Sequence, residues 1–362
     1  MTYLNKHQSI LIIQTAFIGD VVLATSFIEE VKKKYPLHKI DFLLRKGNES
    51  ILQFNPHISH IYLWDKKKYK IFNLIKIIKI IRSKDYHIVF NLQRYFSSGF
   101  VTIFSKAKIK IGFLNNPLSF FFTKKILHKI IYQYKSQYLH EVQRNFLLLN
   151  SLQDSDSPIP DAKLLTPKLY FGTNEIERSL NSKLDKLGCY NSLSPYIVIA
   201  PTSVWFTKQY SITQWIQFLV SMSSHSSNFS SNNIFLVGGK DDYNTLDFII
   251  NESKHIKSYN LAGKLDLLET AFLMKNAKRV FVNDSAPLHL ASAVNAPTTA
   301  IFCSTIPDFG FYPLSSNNII LEISREKLPC RPCGIHGKKS CPESHYNCSK
   351  FITTNQLIDS LH

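Results

Sequence analysis

Short apolar runs alternate along the chain with longer segments of helical period. In the first half the runs are Ile10-Leu11-Ile12-Ile13, Ile40-Asp41-Phe42-Leu43-Leu44, Ile61-Tyr62-Leu63-Trp64, Ile88-Val89-Phe90-Asn91-Leu92 and Ile109-Lys110-Ile111-Gly112. A second series follows Pro195, over Tyr196–Ala200, residues 234–238, Arg279–Asn283 and Thr298–Phe302. Such runs leave no polar face for water, so each reads as a strand covered on both sides, and the helix-length spacers make the strands parallel. The pattern predicts an α/β protein.

The two series meet at residues 154–167, where Asp, Ser and three prolines gather as in a linker. A length of 362 residues also suits two cores better than one. The Ser-rich stretch 221–231 reads as a surface loop or an insertion ahead of a strand. Residues 9–19 form an apolar stretch that runs into Asp20, which predicts a buried first strand rather than a signal peptide. The uncharged stretch 285–307 holds three prolines and a histidine and is not expected to span a membrane. A cytosolic protein with reduced thiols is expected, and five of the six cysteines follow residue 300.

Charge adds an asymmetry. There are 43 basic and 26 acidic residues, a net +17, of which 25 basic and 11 acidic lie within residues 1–165. The basic first half points to an anionic partner: nucleic acid, a membrane surface or a phosphorylated substrate.

In doubly wound sheets ligands bind outside the carboxyl ends of the strands, so the residues just past each run matter most. Asp20 follows Gly19 and opens a helical pattern; it is either a first-turn carboxylate favoured by the helix dipole or a general base. Asn283-Asp284-Ser285-Ala286-Pro287 turns a strand into a helix, either as a simple cap or as a phosphate site with His289 as a further donor. Lys208, past Thr202 and Ser203, is placed to meet the same anion. Gly238 and Gly239, with Asp241 or Asp242, leave room for a nucleoside.

In this order and spacing, Gln-Thr-Ala-Phe-Ile-Gly-Asp at 14–20, Val-Trp-Phe-Thr-Lys at 204–208, Val-Gly-Gly-Lys-Asp-Asp at 237–242 and Asn-Asp-Ser-Ala-Pro-Leu-His at 283–289 resemble the lipopolysaccharide heptosyltransferases, glycosyltransferase family 9, and more particularly their heptosyltransferase II branch. The resemblance implies a GT-B fold, two Rossmann-like doubly wound domains facing across a cleft. Residues 1–160 would bind the acceptor, 168–348 the nucleotide sugar, and a helix within 349–362 would cross back to the first domain. It makes Asp20 the catalytic base and Lys208 the donor-phosphate lysine. Thr202, Ser203, Gly238, Gly239, Asp242, Asp284, Ser285, Ala286 and His289 would hold the donor; Thr15, Gly19, Arg94, His140 and Arg144 would meet the acceptor. Many relatives carry Gly where Ala286 stands, which allows the backbone closer to a phosphate. The implied reaction is inverting transfer of heptose from an ADP-sugar to a lipid-linked anionic glycan, with no metal needed for catalysis, at the cytoplasmic face of the inner membrane.

Two features stand outside those motifs. Cys330, Cys333, Cys341 and Cys348 match a zinc tetrad by count, with His345 nearby, but also suit reduced packing thiols or disulfides. Residues 66–84 carry eight basic and no acidic side chains, with Lys76, Lys79 and Arg82 beside a row of isoleucines. That segment is either a packed helix with a solvated cationic stripe or a face for anionic lipid, and the run from Phe120 to Lys125 is a second candidate for such a surface. Other readings remain: a relative using another nucleotide sugar and glycan, a noncatalytic sugar-nucleotide binder, or a basic nucleic-acid-binding protein with a cysteine metal module. No helix-turn-helix or RNA-recognition signature supports the last, and no nucleic-acid partner is expected.

Overall fold

A computed structural model describes residues 8–130, 133–134, 137–153, 158–188, 195–225, 233–254 and 256–361. Part of the 154–167 linker and most of the Ser-rich stretch lie outside the described residues. The chain divides into two compact units, Met1–Tyr170 and Phe171–His362.

The first unit holds β1 (Ser9–Gln14), β2 (Lys39–Arg45), β3 (Ile58–Trp64), β4 (Tyr86–Asn91), β5 (Ile109–Phe113) and β6 (Lys124–Ile126). They form one parallel sheet in the order β3-β2-β1-β4-β5-β6. A two-residue antiparallel ladder, β7 (Gln133–Tyr134) with β8 (Gln137–Tyr138), stands apart. The helices are α1 (Ile18–Lys34), α2 (Lys70–Arg82), α3 (Phe96–Phe104) and α4 (Glu141–Asn150). Right-handed crossovers put connections running toward β2 and those running toward β6 on opposite faces of the sheet. Accordingly α1 packs with α4, and α2 with α3. Alternation along β1 serves both faces: Leu11 and Ile13 share a core with Ile77, Ile81 and Val101 of α2 and α3. On the other face Phe27 of α1 meets Phe90 edge-on at 5.0 Å. The apolar run 10–13 is thus a central strand, fully buried.

The second unit repeats the plan with β9 (Tyr196–Ala200), β10 (Asn233–Leu236), β11 (Ser258–Asn260), β12 (Arg279–Asn283), β13 (Thr298–Phe302) and β14 (Asn318–Glu322). Its parallel order is β11-β10-β9-β12-β13-β14. The helices are α5 (Glu175–Lys186), α6 (Ile212–His225), α7 (Tyr243–Glu252), α8 (Leu267–Lys275), α9 (Ala286–Ala293), α10 (Asn347–Lys350) and α11 (Thr354–Asp359). The end of the chain belongs to this core, since Tyr346, Cys348, Ile352, Leu357 and Leu361 pack with Ile199, Trp215 and Phe218. The helix that the family resemblance sends back to the first domain packs here on α6, and Thr299 donates to the hydroxyl of Ser360 at 2.9 Å. Among the described residues no helix is long and apolar enough to cross a membrane.

Candidate active site

In each sheet the strand order reverses beside the first strand of its series, between β1 and β4 and between β9 and β12. Crevices at such points collect ligands in doubly wound folds. In the first unit that end is closed by hydrogen bonds among the strand-following residues. Gln14 Nε2 donates to the Leu92 carbonyl at 3.4 Å, and Thr15 Oγ1 donates to Gln93 Oε1 at 2.7 Å. Lys66 Nζ donates to the Thr15 carbonyl and hydroxyl at 2.6 and 3.0 Å, and lies 4.4 Å from the centre of the Trp64 ring. Burial, with Arg45 and Lys70 nearby, lowers the Lys66 ammonium to about 8. Thr15 is therefore buried and engaged rather than open to an acceptor.

Asp20 sits in the first turn of α1, where Phe17 is the N-cap without a side-chain capping bond. Backbone hydrogen bonds to Phe17 and to Asp20 itself favour the charged carboxylate, as in the reach-back half of a capping box. Burial opposes them and the charge of Glu141 adds to it, so that despite Arg94 the carboxyl is raised from 3.8 to about 6. A helix-terminal carboxylate alone would shift downward. Such a shift gives a carboxylate half-deprotonated near pH 6 and mostly ionised at neutral pH, a range suited to proton abstraction.

Glu141 was not anticipated from sequence. It opens α4 and is gripped by His128 Nε2 at 3.0 Å and Arg144 Nε at 2.7 Å. Burial alone would raise its carboxyl, but the charges and hydrogen bonds of His128 and Arg144 win and hold it well below the usual carboxylate range. His140 and Arg144, expected as acceptor contacts, are both interior. His140 Nδ1 accepts from the Val142 N–H as the cap of α4, and Arg144 also donates to the Leu139 carbonyl. Arg144 thus grips Glu141, while His140 caps the helix that Glu141 opens. Arg94 remains partly exposed, and Gly19 is buried inside α1.

In the second unit Lys208 Nζ and Asp284 Oδ2 pair at 2.6 Å. Thr305 Oγ1 donates to the same carboxylate oxygen at 2.6 Å. Asn283 ties the neighbouring turns together: its Nδ2 donates to the Pro201 carbonyl at 2.8 Å, and its Oδ1 accepts from the Tyr210 N–H at 2.8 Å. Thr202 and Ser203 follow β9 and are partly exposed; Gln209 Nε2 donates to the Ser203 carbonyl at 2.7 Å. Ser285 stands at the N-cap position of α9 with its hydroxyl donated to the Asn283 carbonyl at 3.4 Å, and His289 is buried one turn on. At the end of β10, Asp242 Oδ2 accepts from the Gly239 N–H at 2.7 Å, and a side chain on Gly238 would collide with Asp242. The absence of a side chain on Gly238 thus makes room for the Asp242 side chain.

The tail braces the lysine loop. The Thr207 N–H donates to the Lys338 carbonyl at 3.1 Å, and the Lys338 N–H returns a bond to Thr207 Oγ1 at 2.8 Å. Gly337, at φ +73°, lies so close that a Cβ would stand 2.8 Å from Lys208 Cγ. Tyr346 stacks on Phe206 at 4.9 Å and donates its hydroxyl to the carbonyls of Phe206 and Gln209. The buried Arg331 guanidinium donates to the carbonyls of Phe302 and Thr305 at 3.0 and 2.6 Å, and pairs with Glu322 at 3.0 Å.

Between these contacts lie the cysteines. Cys330 Sγ is 3.9 Å from His345 Nε2, and burial, with the other thiols nearby, pushes Cys348 up to about 12. Cys303, Cys330, Cys333, Cys341 and Cys348 are free thiols. Among the described residues no three His, Cys, Asp or Glu side chains are arranged to hold a metal ion.

The family model for glycosyltransferase family 9 (heptosyltransferase) matches residues 74–341. The chain belongs to glycosyltransferase family 9. Lipopolysaccharide heptosyltransferase 3 of Escherichia coli is 28% identical over 84% of this chain and 85% of its own length. Lipooligosaccharide heptosyltransferase 2 of Haemophilus influenzae is 23% identical over 98% of both chains. The solved structure of E. coli ADP-heptose lps heptosyltransferase II is similar with a TM-score of 0.75 and 19% identity, covering 98% of this chain and 97% of that one. The fold is GT-B, and as a family 9 member the protein is a glycosyltransferase. Within this family 9 chain the motif residues Asp20, Lys208 and Asp284 all lie at the reversal points of their sheets.

Proposed function

We propose that this protein transfers heptose from ADP-heptose to a sugar of the lipopolysaccharide inner core, with inversion at the anomeric carbon. Relatives named for heptosyl transfer to lipopolysaccharide or lipooligosaccharide, matched over most of their length, support that substrate class. What supports the mechanism is the placement of Asp20 in the first turn of α1 at the end of β1, where burial and Glu141 raise its carboxyl to about 6.

In this reading Asp20 takes the proton of the acceptor hydroxyl, whose oxygen forms the bond to the anomeric carbon as ADP leaves from the opposite face. Arg94 and Thr15 border that end of the sheet, with Glu141 behind keeping Asp20 basic. On the donor side Lys208, the start of α9 at Ser285 and Ala286, and His289 neutralise the diphosphate, so the step requires no metal. Asp284 and Asp242 take hydroxyls of sugar and nucleoside. The acceptor is a lipid-linked anionic glycan, met at the cytoplasmic face of the inner membrane by the basic N-terminal half.

The test is turnover of ADP-heptose with an inner-core acceptor. Asp20→Ala should lower kcat on the order of 10²–10⁴-fold while ADP affinity holds, and undiminished turnover would remove Asp20 from the mechanism. A thermal-shift panel of ADP, UDP, GDP and CMP tests the donor, and stabilisation by UDP in preference to ADP rejects ADP-heptose.

A further inference from the structure

The face of the first unit that carries α2 and α3 leaves several large apolar side chains exposed to solvent. α2 buries only Ile77 and Ile81 in the core, while Ile71 and Phe72 are 74% and 68% exposed and Ile75 is exposed beside them. Tyr69, left-handed at φ 47°, turns the chain into α2 and is 82% exposed. On α3 the rings of Phe96, Phe100 and Phe104 follow one another at 5.2 and 5.0 Å, and Phe96 is exposed at the helix start. The connection from β5 to β6 crosses the same face by the right-handed rule. It is tied to α3 by Asn116 Nδ2, which donates to the Tyr95 carbonyl at 2.9 Å. From it Phe120 and Phe121 project into solvent, 81% and 60% exposed, whereas Phe122 turns inward. Lys125 lies 5.8 Å from the Phe120 ring centre, and Lys76, Lys79 and Arg82 are exposed along α2.

Isolated exposed apolar residues need no explanation, but large ones gathered on one face and fringed by cations do. We propose that this face docks on an anionic lipid bilayer, with Ile71, Phe72, Phe120 and Phe121 entering the headgroup layer and the basic side chains meeting lipid phosphates. Residues 66–84 contain no acidic side chain to oppose such a surface. Two terms act together: apolar burial, which salt leaves intact, and attraction of cations to the surface, which salt screens. The proposal deepens the acceptor reading above and rests on it only for the lipid-linked substrate; the surface itself is argued from exposure and charge.

Flotation of the full chain with phosphatidylcholine vesicles, with and without phosphatidylglycerol, tests it. Binding should require phosphatidylglycerol. The triple variant Lys76→Gln, Lys79→Gln, Arg82→Gln should lower partitioning on the order of a hundredfold, at about fivefold per cation. The pair Ile71→Ser, Phe72→Ser should abolish the fraction that persists in high salt. All these side chains are exposed, so melting curves should match wild type, and the Gln variant stands alone if the Ser pair fails to fold. Equal binding to neutral vesicles, unchanged binding of a folded variant, or a concentration-dependent dimer dissolved by Phe72→Ser overturns the proposal. Turnover on a lipid-free acceptor fragment should be the same in wild type and variants. Its absence from wild type would defeat the heptosyl reading and leave the flotation result standing.

Discussion

Lys208 and Asp284, far apart in sequence, meet at 2.6 Å with both side chains largely withdrawn from water. The pair holds the lysine at the end of the sheet, and in the proposed mechanism an incoming diphosphate would compete with Asp284 for the ammonium. Taking away one partner of a buried pair leaves the other charge stranded. Lys208→Met should therefore lower unfolding free energy by about 2–4 kcal/mol. Adding Asp284→Asn should restore part of that loss, which urea denaturation of both variants measures as a coupling. Calorimetry with ADP should show the single variant binding more weakly; additive stability losses would mean that the pair contributes nothing.

Asp20 supplies a pH signature. A base raised to about 6 must lose its proton to act, so kcat/KM should rise with pH and level off above an apparent pKa near 6. The linkage to stability runs in the opposite direction. The folded state holds the Asp20 proton more tightly than the unfolded chain, so this residue's contribution to stability falls as pH rises from about 4 to about 6. Above that window the full cost of ionising it is present. Asp20→Asn should then stabilise the protein at pH 8 by about 1–3 kcal/mol and give no gain at pH 3, read by denaturation at both pH values.

The Gly337 backbone leaves no room for change beneath Lys208. Gly337→Ala adds a Cβ at left-handed φ against the lysine stem, and should cost about 1 kcal/mol or more while raising the KM for the donor. Tyr346→Phe keeps the stacking on Phe206 and removes the hydroxyl shared by two loop carbonyls, a loss of about 1–2 kcal/mol. Weakened ADP binding in both variants, with acceptor KM unchanged, separates positioning of Lys208 from a general loss of stability.

Arg331 reaches the same carboxylate through one intermediary, since it holds the Thr305 carbonyl while the Thr305 hydroxyl donates to Asp284. Arg331→Lys cannot serve several carbonyls and Glu322 from one ammonium. A loss of about 1–3 kcal/mol should follow from the unsatisfied carbonyls, visible as a lowered urea midpoint.

Runs such as Ile10–Ile13 were legible because central parallel strands are covered on both sides, leaving near-unbroken apolar sequence. The edge strands β6, β11 and β14 were not. Lys124–Ile126 and Ser258–Asn260 are three residues long and carry little apolar sequence, and Asn318–Glu322 has only a short apolar centre. At the site, the strand-end rule led to Asp20, Lys208 and Asp284, because glycine, turn and helix signals follow those strands. The family resemblance offered His140 and Arg144 as acceptor contacts, and nothing in the sequence shows that they are buried or that Glu141 engages Arg144 from one turn away and draws in His128. The cysteine spacing drew attention to metal chemistry, while Tyr346 and Gly337, which touch the lysine loop, carry no local pattern that marks them.

The brace on residues 205–209 also orders events during synthesis. Every motif residue has left the ribosome before Gly337, Lys338 and Tyr346 emerge, yet the lysine loop takes its backbone partners from those late residues. A nascent chain thus carries every motif residue before the backbone partners of residues 205–209 exist, and the loop around Lys208 is braced on both sides only once the tail has folded home.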